Sequence, residues 1–238
     1  MSSPTIEPEY TRLYEAIQQI FDKTSLGEDR WYIPAVACLV YHDPMSLSNL
    51  YLHLTNQPAY QTPSSRQSLV RRIREALVKS IITLGVCKPI EAIIAISAVE
   101  RPEDRDLSIT REGWQADDQN LARGSDWLSK VYKGNTQSTM DLFAGHRDFE
   151  WISKNISYGL FLSDRQVLDD IETQLVVLPS IMSQNLPQET RWHIRGTRRI
   201  GVSKDDVQAV VDLGKLIAAH YKVVLDKVPA VDDVENEV

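Results

Sequence analysis

Only two cysteines occur, Cys38 and Cys87, far apart and outside any Cys-x-x-Cys pair. That excludes a disulfide framework and a cysteine-built zinc site. Both sit among apolar neighbours, so the sequence predicts two buried, inert thiols in a reducing compartment. No stretch reaches about 20 uncharged apolar residues, so no membrane span is expected. The opening residues MSSPTIEPEY lack a basic region followed by an apolar run, so no secretory signal is expected. The closing residues VDDVENEV are acidic, unlike a Ser-Lys-Leu peroxisomal address, and read as a frayed tail over 224–238. These absences point to a cytoplasmic protein. A Gly-rich phosphate loop, a nucleophile elbow and a dinucleotide fingerprint are all missing. So is a basic strip with interleaved aromatics, and the net charge is −7, which argues against nucleic acid as a partner. Alternating strand patterns and Asn-Gly or Asp-Gly hairpin turns are also wanting.

What is present is helical periodicity. The 238 residues are 42% hydrophobic, enough to bury a core without disulfides or metals. Leu69, Ile73, Leu77, Ile81 and Leu84 recur at three- and four-residue steps, with Arg71, Arg72, Arg74, Glu75 and Lys79 on much of the other face. This predicts an amphipathic helix over 65–84, ended by Gly85. Pro89 suits the first turn of a nearly all-apolar helix through Val99, expected at the centre of the fold. Helices are also predicted over 9–21, 33–41, 47–55, 115–132, 135–143 and 149–161. Ser163 and Gln166 have capping-box spacing and open a helix through Met182, with Pro179 kinking or ending it. Pro187 opens another helix that Gly201 ends, and Ser203 and Asp206 repeat the capping pattern before a final helix to Tyr221. Residues 101–113, charged and proline-bearing, read as an exposed loop. The fold class is all-α. An N-terminal helical layer spans 1–56, a linker 57–65, and the main helical domain 66–223.

Three stretches carry a family resemblance: GVCKPIEAI at 85–93, YGLFLSDRQVLDDIETQLVVL at 158–178, and WHIRGTRRIGVSKDDVQAVV at 192–211. In their order the chain resembles the AhpD-like, or carboxymuconolactone decarboxylase-like, family, in particular its longer fungal members. The resemblance covers roughly 66–220. It implies an antiparallel helical bundle that forms homo-oligomers. It also implies, in the antioxidant branch, a glutamate, a Cys-x-x-Cys pair and a histidine four residues after the second cysteine. His193 matches that histidine and Glu172 the glutamate, but the cysteine positions hold Leu186 and Glu189. Without a thiolate nucleophile a disulfide-cycling peroxidase reaction is excluded.

Glu189 and His193 lie four residues apart and share a helix face. With Glu172 they would line a pocket as a catalytic trio. A buried carboxylate titrates high and histidine near neutrality, which suits general acid–base work on a small carbonyl or carboxylate metabolite. Decarboxylase, isomerase and cyclase chemistry all fit. Trp192 and Arg195 are the expected substrate-binding residues, and neither a cofactor nor a metal is called for. Other readings stay open. Glu189 can simply complement a helix N-terminus, with His193 bonded to backbone. The chain can also be a non-catalytic oligomeric scaffold or small-molecule-binding protein. Arg195, Arg198 and Arg199 suit a helix C-terminus as well as an anionic substrate.

Overall fold

The computed structural model describes residues 5–238, so the N-terminal reading over 1–4 lies outside the described residues. Helices α1 (Pro8–Phe21), α2 (Tyr32–His42) and α3 (Leu47–Thr55) open the chain. The long α4 (Pro63–Leu84) and α5 (Cys87–Val99) follow, then α6 (Asp118–Tyr132) and the short α7 (Thr136–Asp141) and α8 (Arg147–Trp151). α8 runs directly into a π-helical segment, Ile152–Leu162. α9 (Asp170–Met182), α10 (Pro187–Arg199) and α11 (Lys204–His220) complete the set. No strand occurs among the described residues, so the fold is all-α as the periodicity predicts.

The N-terminal helices contribute to the same apolar core as the later ones. Every residue of α2 from Tyr32 to Val40 is buried, and the helix packs on α4, α9 and α11. One apolar core runs from Tyr10 through Leu178 and Ile217 to Val234. The stretch expected as a linker holds a 3-10 turn, Pro58–Tyr60, and then the N-cap of α4. Thr62 and Ser65 cap each other there, each side chain bonded to the other's backbone N–H. Arg66 reaches back to the Tyr60 carbonyl and across to Asp104 at 2.7 Å. The residues on either side of this stretch therefore share one core.

A second, smaller cluster fills the space between α6, the π segment and α9, with Trp127, Leu128, Val131, Tyr132, Tyr158 and Val177 at its heart. Two glycines let α6 and the π segment meet. A Cβ built at Gly124 would overlap the Lys154 carbonyl oxygen and come within 2.7 Å of the Gly159 nitrogen. Asn120 Nδ2 donates to the Asn155 carbonyl at 2.8 Å. The end of the π segment is held by three cations, as a helix C-terminus favours. Lys79 donates to the Leu162 and Asp164 carbonyls, Arg111 to those of Leu160 and Phe161, and Arg165 to those of Leu162 and Asp164. Burial pushes the fully buried Lys79 ammonium down to about 7, although Glu75 lies 3.5 Å away.

Several local expectations are corrected. α5 is not central: Pro89, Ala92, Ala95 and Ile96 face the core, while Val86 just before it, Ile90 and Ile94 are about half exposed. A uniformly apolar helix supplies a core face without requiring its other face to be covered. α9 is opened by Asp169 and Glu172, whose side chains and backbone N–H groups bond reciprocally at 2.8 and 3.0 Å, rather than by Ser163 and Gln166. Pro179 lies inside α9, which continues to Met182. At α11 only Ser203 caps, because the Asp206 carboxylate turns to Ser25. Cys87 is exposed, whereas Cys38 is buried and its thiol pushed up to about 12 by desolvation. The segment read as a frayed tail docks, with Leu225, Val231 and Val234 in the core.

Candidate functional site

α10 carries most of the expected site residues, and its local sequence explains why. Pro187 pre-sets the first turn, and Thr190, His193, Ile194 and Thr197 form the face that packs on α6 and α9. His193 is therefore buried. Its Nδ1 lies 3.3 Å from Gln174 Oε1 on α9. A carboxamide oxygen only accepts, so the shared proton sits on Nδ1 and leaves Nε2 as an acceptor. Among the described residues the ring's hydrogen bond is made by Nδ1 alone. Desolvation alone pushes the imidazole down to about 4, so it is neutral at ordinary pH. Thr197 gives its hydroxyl proton to the His193 carbonyl at 2.7 Å and fixes the turn beneath the ring.

Aromatic rings close over this imidazole. Tyr132 meets it edge-on at 6.3 Å, and Tyr158 and Trp192 stand edge-on to Tyr132 at 6.2 and 6.3 Å. Desolvation raises both phenols, and the two hydroxyls lie near each other. The Tyr158 hydroxyl nonetheless has no well-aligned partner; neither do Gln174 Nε2 and the Trp127 indole N–H, all three of them buried. Unpaired buried polar atoms are rare, and each costs about 1–3 kcal/mol. Tyr158 and Trp127 thus bring two unpaired donors to the apolar cluster that Tyr132 shares with the edge of His193, and Gln174 brings a third beside the imidazole.

The catalytic trio expected from the sequence does not assemble. Glu172 spends both carboxylate oxygens elsewhere: Oε1 on Arg72 at 2.5 Å and Arg30 at 3.4 Å, Oε2 on the Asp169 N–H. Its surroundings are cationic rather than apolar, and no hydrogen bond or ion pair joins it to His193. Glu189 is exposed in the first turn of α10 and forms no ion pair among the described residues. Trp192 does border the cluster, half-buried against Tyr132. Arg195 points round the other side of α10 and bonds to Glu237 at 2.9 Å. Leu186 and Glu189, in the family's cysteine places, offer no sulfur.

Sequence reasoning missed a second gathering of titratable groups. His42, His53 and His220 fall singly along the chain, yet the fold places them among Tyr10, Tyr14, Trp31 and Tyr221, with ring centroids 5.0–5.9 Å apart. The Tyr10–Tyr14 spacing of four residues is the one local signal of that cluster. Nowhere among the described residues do three His, Cys, Asp or Glu side chains converge as a metal site would require. No helix there is long and apolar enough to cross a membrane.

Similar proteins occur in yeasts. The chain is 27% identical over 143 residues to the Schizosaccharomyces pombe protein named Peroxisomal protein 2, covering 60% of this chain and 66% of that one. It is 29% identical over 92 residues to the Saccharomyces cerevisiae protein of the same name, covering 39% of this chain and 32% of that one. Each match thus spans less than two thirds of the relative's own length. No family model matches, so the AhpD-like resemblance rests on the quoted motifs alone. No solved structure matches either. The two names overturn the expectation of a cytoplasmic protein, which rested on the absence of targeting signals.

Proposed function

We propose that this chain is a peroxisome-associated, non-redox protein that binds a small carbonyl- or carboxylate-bearing molecule between α6, α9 and α10. The observation that carries it is the set of buried donors without aligned partners in and beside the cluster that His193 borders: the Tyr158 hydroxyl and Trp127 N–H, and Nε2 of the Gln174 that meets His193. Such a set is costly unless it meets a polar partner. Binding is favoured over general acid–base catalysis because His193 has a carboxamide and not a carboxylate behind it, and because both glutamates stand apart from it. Peroxisomal association follows the names of the yeast relatives. The test is native mass spectrometry of protein purified from its own host. Wild type carries a bound mass of a few hundred daltons, and His193→Ala and Tyr158→Phe lose it while remaining folded. Identical ligand-free spectra for all three would sink the reading.

A second reading, the oligomeric scaffold, is favoured by the uncovered stripe of Val86, Ile90 and Ile94 along α5, about half exposed at each position. Contiguous apolar surface of this kind marks protein contacts. On that reading light scattering finds a multiple of the 27.1 kDa chain, and Ile90→Lys with Ile94→Lys returns it to monomer.

A further inference from the structure

We propose that the outer face of α10 is a polycarboxylate-binding site, filled in this structure by the chain's own Glu235 and Glu237. Arg191, Arg195 and Arg198 recur at three- and four-residue steps, on the side of α10 turned away from His193. The site is therefore separate from the imidazole cluster and stands whether or not that cluster binds anything. Arg198 grips Glu235 with two parallel bonds, Nε to Oε2 at 2.9 Å and Nη2 to Oε1 at 2.5 Å. Arg191 takes one oxygen of Glu237 through Nε at 2.7 Å, and Arg195 takes the other at 2.9 Å. Side-on and end-on guanidinium pairs of this kind select planar carboxylates.

The occupants do not balance the site. Arg199 adds a fourth guanidinium, bonded to the Tyr132 carbonyl, Asn135 Oδ1 and the Glu237 backbone carbonyl, none of them charged. Arg199 thus has no carboxylate among its partners. Arg195 is only 8% exposed, and its Nε and that of Arg199 are buried without partners. A third carboxylate group would supply the partner that Arg199 lacks.

The occupants can leave without unfolding anything. Val231 and Val234 anchor the segment in the core, and the 3-10 turn Glu235–Glu237 follows the second anchor with no buried residue of its own. Swinging that turn aside exposes the arginines and leaves the anchors in place. A tethered carboxylate competes at an effective concentration on the order of millimolar. An external ligand therefore gains at least about tenfold in apparent affinity when the tethered one is removed.

Calorimetric titration with citrate tests this, using inorganic phosphate as the comparison probe. We expect Glu235→Gln/Glu237→Gln to bind citrate at least about tenfold more tightly than wild type, and added Arg195→Gln to abolish the gain. Equal citrate affinity in wild type and double variant, or a gain that survives Arg195→Gln, overturns the proposal. Phosphate binding as tightly as citrate overturns the polycarboxylate assignment. Should the double variant fail to fold, hydrogen exchange on wild type decides. Citrate must accelerate exchange at Glu235, Asn236 and Glu237, and unchanged rates at saturating citrate refute displacement.

Discussion

His193 shows how far one residue's chemistry can be set by its neighbours. Its ordinary pKa of about 6.5 is the value in the unfolded chain. In the fold, burial with no compensating charge pushes it down to about 4. The unfolded state therefore binds a proton that the native state refuses, and stability falls as pH drops. The contribution is complete above about pH 6.5 and is lost progressively toward about pH 4, to the extent of about 3 kcal/mol. His42, also pushed down to about 4 by burial and by Lys88, acts in the same direction. Replacing His193 by Gln should flatten much of this acid limb. Urea midpoints measured at pH 7 and pH 5 check it, and an unchanged difference between the two pH values would count against the burial account. The burial of His193 was legible from its place on the apolar face of a helix. Its partner was not, because Gln174 lies 19 residues away on another helix and looks like one polar residue in an apolar run. Glu172 misled for a related reason. Its Asp-x-x-Glu cap is as visible as the Ser-x-x-Gln six residues earlier, and the choice between them is made by Arg30 and Arg72, which the chain brings in from 142 and 100 residues away.

At the level of elements, periodicity located nearly every helix, and caps set the ends within a few residues. What it could not show was pitch. The segment Ile152–Leu162 reads as an ordinary helix but winds as a π-helix, a form that is rare and short in most proteins. The wider turn survives because its carbonyl end meets Lys79, Arg111 and Arg165, and because glycines bring α6 against its backbone. Gly124→Ala and Gly214→Ala separate backbone from side-chain crowding. At Gly124 the new methyl strikes the Lys154 carbonyl and the Gly159 backbone, neither of which can rotate away. At Gly214 it strikes the terminal methyl of Met182, a flexible thioether that can shift. Gly124→Ala should cost about 1–3 kcal/mol, with Gly214→Ala distinctly milder. Denaturant melts of the two variants rank them, and the reverse order would contradict the packing described. The apolar composition of α5 was equally legible and equally ambiguous, since nothing local distinguishes a central helix from one with an uncovered face.

Across the whole molecule, chain order and spatial order diverge. Reading along the sequence divides the protein at the proline-bearing stretch 57–65, because composition changes there. The fold makes no such division. α2 lies buried among helices drawn from residues 63–84, 170–182 and 204–220, and α1 closes over α11. The nine consecutive buried residues of α2 include Tyr32, Ile33, Val36, Leu39 and Val40. Burying a large apolar side chain is worth about 1.5–3 kcal/mol, so these five alone represent about 7–15 kcal/mol. Domains of this size are stable by only about 5–15 kcal/mol in total. Removing residues 1–56 therefore strips a large part of the shared core and leaves the apolar faces of α4, α9 and α11 exposed. The remainder, 57–238, should be unfolded or aggregated when expressed alone. The full chain should unfold in one transition, with tryptophan fluorescence and far-ultraviolet circular dichroism superimposing across the urea curve. Two separated transitions, or a folded and monodisperse 57–238 fragment, would show that the N-terminal helices are an appendage and that the shared core contributes far less than its buried area indicates.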